Sequence, residues 1–182
     1  MSGLPPVEPL ADGVVALRPW EESDAPELAR CLDGDEEISR WLDMIPQPYS
    51  VEDALSFIGI ATSGKGDRLF AVTDAATGRL LGSVGARWDE PHEVAEIGYW
   101  ARADARGGGV ITRAVVLAVR AALADGAARV WLRAAVENAP SRRVAEKAGF
   151  RLEGVLRSAH WNPRLGRRVD WAVYSLLPGE LV

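Results

Sequence analysis

Apolar and polar positions change their spacing several times along the chain. Residues 14–17 form a short apolar run that suits a first strand and ends at Arg18-Pro19. The spacing then becomes helical. Ser23 is placed to cap a helix with Asp24, Pro26 and Glu27 in its first turn and Leu28, Cys31 and Leu32 on one face. A second short helix runs through Ile38, Trp41 and Leu42, and Pro46 and Pro48 break it off. Ser50 followed by Asp53 has the form of a capping box for a third helix through Ala54, Leu55, Phe57 and Ile58. From Leu69 the rhythm is that of strands: 69–73, a hairpin connection at 75–78, 80–86 and 93–100. A glycine turn at 107–109 leads into a long helix over 110–123. A strand over 127–136 and a short helix over 141–148, stopped by Gly149, come next. Strands over 150–156 and 169–176 close the chain. This order predicts one α/β domain over residues 13–178 with a mixed sheet, preceded by an arm, residues 1–12, that holds Pro5, Pro6 and Pro9.

Composition narrows the picture. The 182 residues fit one domain, and 48% apolar with 26% charged residues is ordinary for a globular chain. The net charge of −5 argues against an extended nucleic-acid footprint. The first residues lack a basic cluster and a long apolar run, so no signal peptide is expected. The Ala/Val-rich stretch 114–124 is interrupted by Arg120 and is too short to span a bilayer. Cys31 is the single cysteine; it excludes an intrachain disulfide and fits core packing in a cytoplasmic protein. No metal-ligand pattern is present.

The strongest local chemistry is the succession of a strand, Arg106-Gly107-Gly108-Gly109, and a helix. Glycine lets backbone approach a ligand closely, and the helix start offers unpaired N–H groups and a positive dipole end. Arg106 adds a charge. A P-loop is excluded because no Gly-Lys-Ser/Thr follows. A dinucleotide fingerprint is excluded because Thr112 stands where glycine is required. A plain strand-to-helix turn is the alternative.

With these motifs the sequence resembles the GNAT superfamily of N-acetyltransferases, in particular its RimJ/RimL-like branch. The family loop, Gln/Arg-x-x-Gly-x-Gly/Ala, is matched at Arg106 and Gly109, and Gly107 fits the Arg-Gly-x-Gly form. Ile111 departs from the pattern's glycine or alanine. Leu17-Arg18-Pro19-Trp20 with Glu22-Ser23-Asp24 resembles the family's opening. Gly82-Ser83-Val84-Gly85 and Ala95-Glu96-Ile97-Gly98-Tyr99-Trp100 resemble its central strands. Asn138-Ala139-Pro140-Ser141 with Val144 to Phe150 is a second specific signature, and residues 167–176 resemble the last strand. The resemblance implies a V-shaped acetyl-CoA cleft between splayed strands. The pantetheine arm would lie along Trp100 and Ala101. The pyrophosphate would sit on Arg106, Gly107, Gly108, Gly109, Val110, Ile111 and Thr112, and Asn138 would touch the coenzyme from the other side.

The implied reaction is direct attack of a primary amine on the thioester in a ternary complex. An α-amine, with a pKa near ~7.7–8.0, is partly neutral at pH 7, whereas a lysine near ~10.4 needs more help. A general base, a proton donor for the thiolate and a donor for the carbonyl oxygen, expected at a bulge before the loop, complete the requirement. Glu96 is one base candidate, on a strand face with Gly98 and Trp100; a salt-bridged carboxylate is the alternative. His160 is the other, at a place where the RimL-like relatives carry a glutamate; a surface histidine is the alternative. Ser141 matches a serine near the sulfur, or serves as a helix N-cap. His92 falls in a turn. Trp20, Trp41, Trp131 and Trp171 fit core positions, while Trp88, Trp100 and Trp161 could line the acceptor cleft.

The helices over 23–63 would form the acceptor wall. Their acidic run Asp33, Asp35, Glu36 and Glu37 is either a solvated face or an attraction for a cationic amine. Acceptors in keeping with the chain are a protein N-terminus or a small cation such as an aminoglycoside or polyamine. A succinyl donor would want a cation such as Arg87, Arg102 or Arg157. A non-catalytic acyl-CoA-binding module is the reading from another class. Homodimerisation through the last strands is a further expectation.

Overall fold

A computed structural model describes residues 10–63 and 67–181. The expected N-terminal arm therefore lies, up to residue 9, outside the described residues. Among these residues eight strands form one sheet in the order β1-β2-β3-β4-β5-β6-β8-β7. They are β1 (Leu10–Ala11), β2 (Val15–Pro19), β3 (Arg68–Asp74), β4 (Leu80–Asp89), β5 (Val94–Ala101), β6 (Arg129–Ala135), β7 (Arg151–Asn162) and β8 (Arg167–Leu176). Every neighbouring pair is antiparallel except β5 and β6.

The helices divide between the two faces. α4 (Val110–Ala124) and α5 (Ala139–Lys147) pack on one face. There the buried residues of α4, among them Ala114, Val115 and Ala118, meet Val84, Ala95, Ile97, Val130, Leu132 and Tyr174. On the other face α1 (Ala25–Leu32), α2 (Glu36–Trp41) and α3 (Val51–Ala61) close a second cluster. It joins Trp20, Leu28, Leu32, Ile38, Tyr49 and Ile58 with Ala71 and Leu80. Alternation along each strand sends successive side chains to opposite clusters.

Local signals account for most element ends, with two corrections. The Ser50–Asp53 capping box starts α3 as expected. At α1, however, Ser23 is not the cap. Asp24 holds that position, and its carboxylate takes two hydrogen bonds of 2.7 Å from Arg18, tying the helix start to β2. Strand β7 runs past the expected end at residue 156, because a bulge interrupts pairing between Leu156 and His160. Ser158 there adopts φ +51, and its N–H donates to Asp170 at 2.7 Å. Four residue steps on β7 thus pass two on β8, and His160 re-enters the ladder opposite Val169. His160 is a strand residue rather than one that follows the strand.

Gly82 shows how tightly β4 and β5 are laid together: a Cβ there would stand 2.3 Å from the Trp100 carbonyl oxygen and 3.2 Å from Ile111 Cδ1. The backbone oxygen cannot swing aside, so Gly82→Ala should destabilise the protein by about 1–3 kcal/mol, read from denaturant midpoints. Glu153 on β7 accepts two 2.6 Å hydrogen bonds from Arg129 and one of 2.7 Å from Ser175, which hold its carboxyl down to about 2. A depressed carboxyl stabilises the fold above its unfolded value, near ~4.3, and the contribution fades as pH falls through the folded value. The pair is solvent-screened. Glu153→Gln should therefore cost only about 0.2–1 kcal/mol at neutral pH, and the difference in unfolding free energy from the unsubstituted protein should close between about pH 4 and pH 2.

Candidate active site

The parallel pair β5 and β6 is joined only at Val94↔Arg129, Ala95↔Val130 and Glu96↔Trp131. Beyond Glu96, β5 stays in register with β4 as far as Ala101, and β6 stays with β8 as far as Ala135. The two strands separate, and each presents unpaired backbone groups to the gap. Trp100 and Ala101 lie on its β5 rim. No bulge interrupts the β4–β5 ladder, contrary to expectation. The opening arises because each strand keeps its outer partner while losing the inner one.

The glycine turn stands at the open end of the gap. Gly107 has φ +80 and Gly109, the N-cap of α4, has φ +77. Such backbone would strain any side chain. No side chain caps α4. The N–H groups of Val110, Ile111 and Thr112, in its first turn, therefore lack intrahelical partners and, with the positive dipole end, form a cradle for an anion such as a pyrophosphate. The branched side chain of Ile111 turns into the core against Gly82 and is 8% exposed, so it does not press on the turn. Arg106 does not add a free charge beside the turn. Its Nε donates to the Ala101 carbonyl at 3.1 Å, and its Nη2 lies 2.5 Å from the Asp35 carboxylate. The attraction for an anion comes from the backbone.

Across the gap, α5 begins earlier than residue 141. Asn138 is its N-cap, and its side-chain oxygen accepts from the Ser141 N–H at 3.2 Å. Ser141 is therefore free of the capping duty. Its hydroxyl lies 2.9 Å from the hydroxyl of Tyr99, which is also 3.0 Å from the Ser141 carbonyl oxygen.

On the α1–α3 face a polar band crosses the sheet. Glu96 is 3.1 Å from Arg133 and 4.0 Å from Arg87. The Arg133 guanidinium sits 3.9 Å over the Trp171 ring, and His160 stacks on that ring at 5.1 Å with an interplanar angle of 18°. His160 Nε2 is 3.0 Å from the Asp43 carboxylate. Trp171 and Trp131 thus belong to this band rather than to the core, because odd positions of β6 and β8 face away from α4. Trp20 is buried, Trp88 and Trp100 pack against the two clusters, and Trp161 is 53% exposed.

The hairpin between β7 and β8 is clamped onto the end of α2 and the segment after it. The amide of Asn162, itself 2% exposed, donates to the Arg40 carbonyl at 2.7 Å, and Arg164 reaches the Ile45 carbonyl at 3.4 Å. Together with His160–Asp43 these contacts make an arch beside the gap.

Sequence reading missed Asp43, Arg133 and Tyr99. Arg133 and Tyr99 follow from period two on strands already assigned; Asp43 is 117 residues from His160, and no local signal connects them. Other candidates lie elsewhere. His92 pairs with Asp89 in the exposed turn between β4 and β5. Burial pushes the Cys31 thiol up, away from reactivity. In the acidic run, Asp33 accepts from the Tyr49 N–H at 3.0 Å and Asp35 caps α2 while pairing with Arg106. Arg102 is committed to Glu27 and Asp104. Among the described residues no group of three or more His, Cys, Asp or Glu side chains could hold a metal ion, and no helix is long and apolar enough to cross a membrane.

Splayed parallel strands and an uncapped glycine-led helix suit a long ligand with an anionic centre. Comparison with known proteins agrees. Residues 15–151 match the family model described as acetyltransferase (GNAT) domain, and the chain belongs to this family. A Bacillus subtilis (strain 168) protein that carries the provisional name ribosomal N-acetyltransferase YdaF is 29% identical over 171 residues, 91% of this chain and 92% of that protein. In structure, RimL, a ribosomal L7/L12 alpha-N-protein acetyltransferase solved with coenzyme A, superposes with a TM-score of 0.83 at 21% identity, over 93% of this chain and 98% of that one. The microcin C7 self-immunity acetyltransferase MccE, solved with acetyl-CoA and AMP, gives 0.76 at 24% identity, over 91% and 93%. These two likenesses are of fold. The protein is a GNAT N-acetyltransferase.

Gly109→Val places a branched side chain at φ +77, where the left-handed conformation costs about 1–2 kcal/mol. The domain should stay folded by circular dichroism, while acetyl-CoA binding, followed by calorimetry, is lost; undiminished binding would remove the turn from the site.

Proposed function

We propose that the protein transfers the acetyl group of acetyl-CoA to the α-amine of a protein N-terminus by direct attack in a ternary complex. The observation that carries this is the arch: His160, Asn162 and Arg164 bound to Asp43, Arg40 and Ile45 roof the sheet face next to the gap. A sheet face roofed in this way suits the end of an extended chain better than a lysine on a folded surface. The α-amine also needs less deprotonation than a lysine.

In this reading the pantetheine arm runs along the β5 rim at Trp100 and Ala101. The pyrophosphate rests on the turn from Arg106 through Gly107, Gly108, Gly109, Val110 and Ile111 to Thr112, and Asn138 borders the coenzyme from α5. His160 is the general base. Its Nε2 faces the Asp43 carboxylate, so Nε2 carries the hydrogen and Nδ1 keeps the lone pair that takes the amine's proton, directly or through a water. Asp43 fixes this tautomer and offsets the imidazolium charge. Glu96 is engaged by Arg133 and acts as an electrostatic partner that sets the guanidinium over Trp171. Ser141 donates to the thiolate as the C–S bond breaks, and unpaired backbone N–H groups at the gap receive the carbonyl oxygen.

Residues 13–178 form the catalytic domain. The long edge strand β7 exposes Leu152, Val155 and Leu156, which supports a homodimer through this edge. In this reading the acceptor is a newly made protein N-terminus, and the enzyme works in the cytoplasm.

A thiol-release assay with acetyl-CoA and succinyl-CoA against pooled peptides tests the proposal. Peptides with a free α-amine should be turned over, and the same peptides blocked at the N-terminus but carrying lysine should not; turnover of polyamines or aminoglycosides alone would overturn the assignment. His160→Ala should lower kcat by about 10²-fold or more, leaving acetyl-CoA affinity unchanged. Glu96→Gln should cost less. If His160→Ala keeps the full kcat, another group is the base.

A further inference from the structure

Tyr99 is on the α4 face of β5, beyond Glu96, the last β5 residue paired with β6. Its ring packs against the core, and its hydroxyl crosses beneath the gap to the first turn of α5. There it meets two oxygens of the same residue, the Ser141 carbonyl at 3.0 Å and Oγ at 2.9 Å. The carbonyl can only accept. Each hydroxyl carries one proton. Two arrangements satisfy these atoms. In the first, Tyr99 donates to the carbonyl, and Ser141 Oγ–H donates back to the phenolic oxygen. In the second, Tyr99 donates to Oγ, and the serine's own proton is released to point elsewhere. Capping does not compete for the serine, because Asn138 already accepts from the Ser141 N–H.

We propose that Tyr99 is a positioning residue for thiolate departure. By moving its single hydrogen bond from the Ser141 carbonyl to Ser141 Oγ, it turns the serine's proton towards the coenzyme sulfur as negative charge gathers there. This rests on the reading of Ser141 as the donor to the thiolate. The amine's lone pair forms the C–N bond of the amide, the thioester C–S bond breaks, and its electron pair stays on sulfur. Both hydroxyl protons remain on their own oxygens, and only their partners change. The lost contact to a neutral carbonyl is offset by a charge-assisted one from Ser141 to sulfur. Burial pushes the Tyr99 phenol up to about 12, which keeps it a neutral donor at working pH. Tyr99 also ties β5 to α5, the helix that follows β6, where the two strands have come apart, so the donor's position is set by the same strand whose backbone forms the cleft rim.

The test needs no acceptor. Free coenzyme A is bound to the protein, and ionisation of its thiol is followed by ultraviolet thiolate absorbance, as the difference from protein and coenzyme alone. The bound thiol should ionise at a lower pH than the free thiol. Tyr99→Phe, which keeps the ring, and Ser141→Ala should each return it towards the free value, with coenzyme affinity unchanged at pH values where the thiol is protonated. In thiol release with acetyl-CoA and a free-α-amine peptide pool, Tyr99→Phe should lower kcat by about tenfold at unchanged KM for acetyl-CoA. The double variant should be no slower than Ser141→Ala alone. If Ser141→Ala moves the ionisation and Tyr99→Phe does not, the role of Tyr99 is overturned and that of Ser141 stands. If neither moves it, both fall. Should Tyr99→Phe fail to fold, 3-fluorotyrosine at position 99 gives the complementary reading: a stronger donor must lower the bound thiol's ionisation pH further, whereas a purely steric support leaves it unmoved.

Discussion

Everything at this site depends on the parallel pairing of β5 with β6 stopping after three residues. A strand that loses one neighbour must satisfy its backbone elsewhere, with water or with a ligand. Both strands here keep their outer partners, so the opening stays rigid instead of fraying. Each is followed by a helix that starts at the same end of the sheet. The uncapped start of α4 and the Asn138-capped start of α5 therefore face one another across the opening. Extended backbone on the rim and free N–H groups at the mouth suit a long ligand with an anionic centre.

The two faces of the sheet then divide the work. The α4 face is apolar and close-packed, and the hydroxyl of Tyr99 reaches from it to the first turn of α5. The opposite face carries Glu96, Arg133, Trp171, His160 and Asp43 in contact with one another. Charges of opposite sign alternate there with aromatic surface, so each ionisable group is paired before a substrate arrives. The bulge around Ser158 belongs to this arrangement: it brings His160 back into register beside Trp171 and under the loop that carries Asp43. Asn162 secures the same hairpin from within.

Arg106 and Asp35 join the two halves of the site. The arginine lies just before the glycine turn, and the aspartate caps α2 on the opposite face of the sheet from α4. Their ion pair leaves the turn to attract an anion with backbone alone. It also makes the position of the turn and that of α2 depend on each other.

The sequence by itself determined the elements, the turn chemistry and the family. Spacing of apolar residues placed the helices and strands, and Ser50–Asp53 marked the start of α3. Glycines at 107–109 marked the turn ahead of α4, where Gly107 and Gly109 take φ values of +80 and +77 that favour glycine. These are properties of neighbours in the chain. What only the tertiary structure decided is which side chains share a proton or a charge. His160 could be weighed as a base from its position, but Asp43 is its partner only because a hairpin folds onto a loop 117 residues away. Trp131 and Trp171 looked like core until the sheet showed which face they take. Arg106 looked like a free cation until α2 brought Asp35 beside it. Local patterns fix backbone conformation through short-range sterics. The partners of polar side chains are fixed by the packing of elements distant in sequence, and no spacing along the chain records that.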